Sequence, residues 1–269
     1  MNHYIHDLNP TIFTIGPFEV RWYGLFYVIS FLLGYWLIKK NFKHKGIVIN
    51  GEDYDTFVFN LMLGVILGGR MGYILFYNLA FYISNPLAVF YVWEGGMSFH
   101  GGALGVIVAG WLFCRKHKLS FYQLADPVMP IVAIGLGLGR LGNFINGELY
   151  GRETTVPWGM IFPGSDPQAL VRHPSQLYEL FLEGIVLGLF LQWLYRKTKK
   201  AGYVFWSFIG GYGLFRFIIE YFREPDDIEL YKNGLLLHYF TMGQMLSLIM
   251  LLVSMIFIIF LMRKNEKNQ

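Results

Sequence analysis

Long runs of apolar residues, separated by short polar segments, dominate the chain. Seven of these runs approach the roughly 20 residues that an α-helix needs to cross the ~30 Å hydrocarbon core of a bilayer. They lie near 22–38, 56–77, 98–114, 122–143, 175–195, 203–222 and 239–262. The pattern predicts an all-α, polytopic integral membrane protein with about seven transmembrane helices, folded as a single membrane-embedded domain over residues 1–269.

Basic residues follow every second run. Fourteen of the 22 lysines and arginines lie after the first, third, fifth and seventh runs, in clusters at 39–45, 115–118, 196–200 and 263–267. Only five lie on the opposite side: Arg21, Arg152, Arg172, Arg223 and Lys232. Because lysine and arginine accumulate in cytoplasmic loops, this alternation predicts an external N-terminus and a cytoplasmic C-terminus.

Two of the longer connections differ from the basic ones. Residues 78–96 contain no lysine or arginine and are rich in aromatic side chains, which favours an external arm lying in the membrane interface. Residues 143–173 contain Pro157, Pro163 and Pro167. About thirty residues is long for a simple connection, so this segment is predicted to form a small external head.

Composition agrees with a membrane protein. Hydrophobic residues make up 55% of the chain, charged residues only 15%, and the mean hydropathy is +0.42, whereas soluble domains carry about 25% charged residues. The net charge of +4 comes from the loop clusters, so no nucleic-acid partner is expected. A single cysteine excludes an intramolecular disulfide, and the histidine spacings match no zinc site. No metal and no cofactor are predicted.

Three arginines, Arg70, Arg140 and Arg216, lie inside apolar runs and in the outer half of the membrane. An ionisable group at that depth costs at least ~2.5–3.5 kcal/mol, so it is a functional-site hypothesis by default. His100 and Tyr23 begin runs on the same side, and Asn143, Asn146 and Glu148 follow Arg140. Repelling guanidiniums favour an anion between them, and their planar forks suit phosphate. A phospholipid headgroup is the predicted ligand.

Structural interpretations of these residues stay open. Arg140 could snorkel from a small-residue packing face, and Arg70 could pair with Glu148 or Glu220. His100 could be an ordinary helix-end histidine, and Tyr23 an interfacial aromatic. Glu220 and Arg223 are expected to form an ion pair. In residues 172–179, Pro174 could be the first residue of a helix and its polar neighbours could only cap it.

Residues 139–151 (GRLGNFINGELYG) resemble the signature of the bacterial prolipoprotein diacylglyceryl transferases. Further blocks that resemble this family lie at 22–25 (WYGL), 68–73 (GGRMGY), 95–102 (GGMSFHGG), 172–179 (RHPSQLYE) and 211–216 (GYGLFR). The resemblance covers nearly the whole chain. It implies a transferase of the bacterial cytoplasmic (inner) membrane, with its active site toward the outer leaflet.

The implied reaction moves diacylglyceryl from phosphatidylglycerol to the lipobox cysteine of a prolipoprotein signal peptide and releases glycerol phosphate. On this resemblance His100, Arg140 and Arg216 are the catalytic candidates, His100 as base and the arginines at the leaving phosphate. The candidates for binding the headgroup are Tyr23, Arg140, Asn143, Asn146, Glu148, Gly151, Tyr212 and Arg216, with Arg70 in a supporting role. A lipid-anion transporter and a non-enzymatic membrane scaffold are the competing interpretations.

Overall fold

The computed structural model describes residues 3–16, 18–91, 95–224 and 240–266. Residues 92–94 of the predicted arm and Lys232 lie outside this set, as does residue 267. Each predicted apolar run contains helix. In chain order the helices are α1 (Trp22–His44), α2 (Gly51–Tyr77), α3 (Leu79–Ser84), α4 (Phe99–His117), α5 (Phe121–Asn146), α6 (Ser175–Glu179), α7 (Leu187–Lys197), α8 (Tyr203–Ile219) and α9 (Met242–Glu266). A π-helical turn, Leu180–Val186, joins α6 to α7.

The predicted all-α polytopic membrane architecture is confirmed. Within the described residues, five helices are long and apolar enough to cross a bilayer: Trp22–His44, Gly51–Tyr77, Phe121–Asn146, Ser175–Lys197 and Met242–Arg263. Helix α8 is apolar but shorter, and α4 has 19 residues. A count of seven crossings therefore stays a prediction.

Short strands accompany the helices at the N-terminus and in the segment 143–173. They are β1 (Tyr4–Ile5), β2 (Thr11–Ile15), β3 (Phe18–Arg21), β4 (Met160–Ile161) and β5 (Val171–Arg172). Strands β2 and β3 form an antiparallel hairpin. Strand β4 pairs in parallel with β1 and antiparallel with β5, so the N-terminal segment is part of the same small sheet as residues 160–172.

The chain divides into two compact units. The first comprises Met1–Ile38 and Asp126–Gln269. Its apolar core lies between α5, α7 and α8 and includes Ala133, Leu191 and Phe208. The Asp126 carboxylate caps the N-terminus of α8, accepting hydrogen bonds from the backbone nitrogens of Gly202 (2.7 Å) and Phe205 (2.9 Å), which satisfies two otherwise unpaired donors.

The second unit is Lys39–Ala125, in which α2 and α4 pack closely. The contact is made of glycines: a Cβ on Gly64 would lie 2.7 Å from the carbonyl oxygen of Gly105. The same crowding occurs at Gly72, where a Cβ would lie 2.7 Å from the Cα of Gly101. Small residues thus let the two helix backbones touch, as is common between helices in membranes.

Candidate active site

Three arginines of the first unit converge on one carboxylate, that of Glu179, which is 1% exposed. Arg140 on α5 contacts Oε2 of Glu179 through Nε. Arg216 on α8 and Arg223 just after α8 reach Oε1 at 3.3 and 3.2 Å. Two of the arginines between which an anion was expected, Arg140 and Arg216, therefore share a protein carboxylate.

Glu220 provides a second buried carboxylate for the same cluster. Its Oε2 lies 3.1 Å from Nη2 of Arg216 and 4.0 Å from Nε of Arg223. Thr241 donates a hydrogen bond of 3.0 Å to Oε1. The expected Glu220–Arg223 ion pair is confirmed, although Arg216 is the closer partner. We refer to Arg140, Arg216, Arg223, Glu179 and Glu220 as the arginine cluster.

Close backbone packing brings these side chains together. Gly137 on α5 and Gly184 in the π-helical turn face each other so closely that a Cβ on either would lie 2.7 Å from the other's Cα. Arg140 follows Gly137 by about one helical turn, and Glu179 precedes Gly184 in the chain. The contact therefore holds the arginine-bearing helix against the glutamate-bearing one.

The polar end of α5 forms a hydrogen-bonded loop beside Arg140. The amides of Asn143 and Asn146 both donate to Oε1 of Glu148, at 2.8 and 3.0 Å. Nη1 of Arg140 donates to Oδ1 of Asn143 over 3.5 Å. The buried side chain of Gln176 in turn donates to the backbone carbonyl of Glu148 (2.7 Å). These bonds connect the loop to α6.

Helix α6 begins at Ser175, one residue later than the sequence interpretation suggested. Pro174 is the residue before the helix, not its first residue, and no side chain caps the N-terminus. The polar residues that follow bond to the preceding segment instead of capping the helix: Ser175 donates to the carbonyl of Leu149 (3.2 Å). Leu149 has a left-handed φ of 58°, an uncommon conformation for a branched side chain, and the bond from Ser175 helps to hold it.

The remaining binding candidates of the first unit lie around the same loop and cluster. The ring of Tyr23 packs on Gly142, where a Cβ would lie 2.5 Å from Cδ2 of the tyrosine. Tyr212 on α8 interacts electrostatically with Arg216 and Arg140. Gly151 donates through its backbone nitrogen to the carbonyl of His173 (2.8 Å). A Cβ on Gly151 would lie 2.8 Å from the Cβ of His173, so no larger residue fits there.

The segment 143–173 contains its own buried ion pair. Nε of Arg172 donates to Oδ2 of Asp166 at 2.8 Å, and both residues are buried. The Arg172 guanidinium holds the pKa of the Asp166 carboxyl below its usual value. Next to this pair, burial lowers the pKa of the His173 imidazole, whose Nδ1 lies 3.1 Å from the hydroxyl of Tyr178.

Arg70 and His100 belong to the second unit. Arg70 is 5% exposed and donates to five backbone carbonyls, those of Ala88, Val89, Tyr91, Gly95 and Gly96, at 2.5–3.3 Å. Backbone carbonyls take the place of the carboxylate partner that the sequence left open, and among the described residues of its own unit no carboxylate lies within ion-pair distance of Arg70. Arg70 holds the segment 88–96 instead. His100 lies exposed in the first turn of α4, which Ser98 caps. Its convergence with Arg140 and Arg216 stays a prediction.

Two acidic residues, one in the cluster and one that interacts with it electrostatically, were not predicted from the sequence to belong to the site. Glu179 and Glu183 both lie within the fifth apolar run, near 175–195, and both are 1% exposed. The depth argument that singled out the arginines applies equally to acidic side chains. Among the described residues, no group of three or more histidines, cysteines and acidic residues has the geometry to hold a metal ion.

Comparison with known proteins gives consistent matches over almost the entire length. The family model described as "Prolipoprotein diacylglyceryl transferase" matches residues 10–260. A protein of Geobacter sulfurreducens named phosphatidylglycerol–prolipoprotein diacylglyceryl transferase is 52% identical over 258 residues, which cover 96% of this chain and 97% of the relative. Proteins of the same name from Vibrio cholerae and Pseudoalteromonas atlantica are 46% and 49% identical, covering 94% and 97% of this chain and 91% of each relative.

Proposed function

Because this chain belongs to the prolipoprotein diacylglyceryl transferase family, we propose that it transfers the diacylglyceryl group of phosphatidylglycerol to the lipobox cysteine of a prolipoprotein. The reaction forms a thioether, so the bond from the glycerol carbon to the phosphate oxygen breaks and glycerol phosphate leaves. This is the first step of lipoprotein maturation. The enzyme is a transferase and a multi-pass membrane protein.

One observation carries the proposal beyond family membership: three guanidiniums share the buried carboxylate of Glu179 beside a loop of amides. Guanidiniums concentrated at membrane depth are suited to the phosphate of a lipid, which approaches from the bilayer. Arg140 is the most exposed of the three, with 23% of its side chain accessible compared with 13% for Arg216 and 7% for Arg223. Arg140 is therefore the arginine best placed to meet a headgroup.

The attacking sulfur comes from the substrate peptide. A cysteine thiol has a pKa near ~8.5, so at neutral pH it must lose a proton to a base before it attacks carbon. His100 is the proposed base, since an imidazole accepts protons in this pH range. Its exposed position at the start of α4 supports this role.

The leaving group gains negative charge during the reaction. A phosphodiester carries one charge, and the monoester released from it carries up to two. Arg140 and Arg216 are proposed to stabilise this growing charge. Because both already contact Glu179, their positions are set before the substrate binds, and little reorganisation is needed during the reaction.

The neighbouring polar residues are proposed to bind the rest of the headgroup. Asn143, Asn146 and Glu148 form one hydrogen-bonded set, which suits the glycerol hydroxyls because it offers both donors and an acceptor. Tyr23 and Tyr212 would support the headgroup from α1 and α8. Gly151 would hold the chain that follows this set against His173, to whose carbonyl its backbone nitrogen donates.

We further propose that the protein lies in the bacterial inner membrane as a single domain, with its N-terminus outside and its active site toward the outer leaflet. Residues 78–96 would form the interfacial arm and residues 143–173 the external head. The partners are then phosphatidylglycerol, the lipobox of a prolipoprotein signal peptide and the bilayer itself, without a cofactor.

The direct test incubates the purified protein with phosphatidylglycerol and a synthetic lipobox peptide and follows the peptide by mass spectrometry. We expect a mass gain of one diacylglyceryl group and release of glycerol phosphate. A peptide with serine in place of the cysteine is the matched control and should gain nothing. Absence of transfer, together with passage of phosphatidylglycerol between leaflets, would favour the transporter interpretation.

A further inference from the structure

Glu183 is a buried carboxyl that the proposed mechanism does not use. It lies in the π-helical turn, four residues after Glu179, and is 1% exposed. Among the described residues neither of its carboxyl oxygens has a hydrogen-bond partner. π-helical turns are frequent at functional sites, and a buried polar group without a partner requires a physical explanation.

The surroundings of Glu183 are those of the arginine cluster. It interacts electrostatically with Arg140 on α5, with Arg216 on α8, with Arg223 after α8 and with Glu179 on its own helix. Tyr212 on α8 also interacts with it. The protonation state of Glu183 therefore affects the net charge that a ligand of the cluster meets.

The charges of the cluster do not balance without Glu183. Three guanidiniums are matched by the two carboxylates that make ion pairs with them, Glu179 and Glu220. An ionised Glu183 would bring the total to zero, whereas a protonated Glu183 leaves one positive charge in excess. A buried carboxylate without donors is the costlier of the two forms, and neighbouring carboxyls do not both ionise readily.

We propose that Glu183 is a positioning residue that holds a proton, so that the arginine cluster keeps one uncompensated positive charge for the phosphodiester monoanion of the lipid headgroup. This inference rests on the transfer function proposed above. If Glu183 lost its proton, the cluster would become neutral, and the Michaelis constant for phosphatidylglycerol would rise. The effect concerns lipid binding, whereas ionisation of the substrate thiol acts on the rate of attack.

The proton itself is tested by infrared spectroscopy of the purified full chain. A protonated, buried carboxyl gives a carbonyl stretch separate from that of ionised carboxylates. We expect wild-type protein to show such a band at neutral pH and Glu183→Gln to lack it. Identical spectra would overturn the proposal. Melting curves of both proteins establish that the variant is folded, and if it is not, the wild-type titration described next carries the test.

The consequence is tested by the KM for phosphatidylglycerol, measured with a lipobox peptide between about pH 6 and about pH 9.5, a range in which buried carboxyls can titrate. In wild-type protein KM should stay constant while the infrared band persists and should rise about tenfold as the band disappears. In Glu183→Gln this rise should be absent. Loss of the band without a change in KM, or the same rise in the variant, would contradict the charge role. A wild-type protein that transfers nothing at any pH would refute the proposed function instead.

Discussion

Arg140 and Glu179 are in direct ion-pair contact through Nε and Oε2, and the glutamate side chain is only 1% exposed. The contact joins α5 to the helical segment that begins at Ser175, two elements separated in the chain by residues 147–174. Removing one partner of a buried ion pair leaves an uncompensated charge and typically costs ~3–5 kcal/mol. Removing Glu179 should therefore destabilise the first unit, and its carboxylate orients Arg140.

Arg70→Lys should lower stability. Lysine keeps the charge but has only three donors on one nitrogen, so it cannot reach the five carbonyls that Arg70 contacts. We expect a loss of about 3 kcal/mol or more, observed as a lower melting temperature and faster proteolysis within 78–96. Arg21→Lys, at an exposed pair with Glu19, is the matched control. An inactive Arg70→Lys protein with normal stability would indicate a direct role in the reaction.

His100→Gln should fold normally and lose transfer activity by roughly 10²–10⁴-fold. Glutamine forms hydrogen bonds but does not accept a proton at neutral pH. The deficit should shrink as the pH rises toward the thiol pKa, because the substrate then ionises without help. His117→Gln, at the opposite end of α4, should behave like wild type. A deficit that is the same at every pH would assign His100 to headgroup positioning.

Asp166→Asn should destabilise the segment 143–173 in a pH-dependent way. Because Arg172 lowers the pKa of Asp166 in the folded protein, the ionised carboxylate contributes stability that is fully present above the ordinary aspartate value of ~3.9. That contribution is lost as the pH falls through the lowered, folded-state value. The difference in proteolysis rate between variant and wild type should therefore be large at pH 7 and vanish in strong acid. A difference that persists there would show that the charge is not its cause.

Cys114→Ser should retain transfer activity. Cys114 is buried near the C-terminal end of α4, where its sulfur lies 3.8 Å from the carbonyl of Ser120. The sulfur that reacts belongs to the substrate peptide, so no covalent intermediate on the enzyme is expected. Serine should lower the melting temperature slightly because a hydroxyl is harder to bury than a thiol. Loss of activity in a folded variant would require a different site and a ping-pong mechanism.

The sequence predicted the positions of the helices well, because each apolar run contains helix and five of the helices have the length and composition of a membrane span. It also singled out Arg140, Asn143 and Glu148, since polar residues within or just after an apolar run are unusual enough to indicate function. What it did not predict is the partner of Arg140, the carboxylate of Glu179. Which helix faces Arg140 depends on the Gly137–Gly184 contact, a long-range packing feature.

The partners of Arg70, which the sequence left open, have a similar origin. Local pattern indicates that a buried guanidinium needs acceptors, but not whether these are carboxylates or carbonyls. The carbonyls become available because the 3₁₀-helical turn Pro86–Phe90 and the residues after it direct several backbone oxygens toward one place. Such an arrangement depends on backbone geometry that hydrophobic periodicity does not encode.

The most direct test of the account is the turnover of Arg140→Lys, measured together with its binding of phosphatidylglycerol. Lysine keeps the charge and a contact to Glu179, but lacks the planar fork that holds two phosphate oxygens at once. Losing one preorganised donor to developing charge typically costs about 10²–10³ in turnover. We therefore predict a folded protein that binds phosphatidylglycerol and transfers ~10²–10³ times more slowly. Near-normal turnover would contradict the account, because positive charge alone would then suffice at this position.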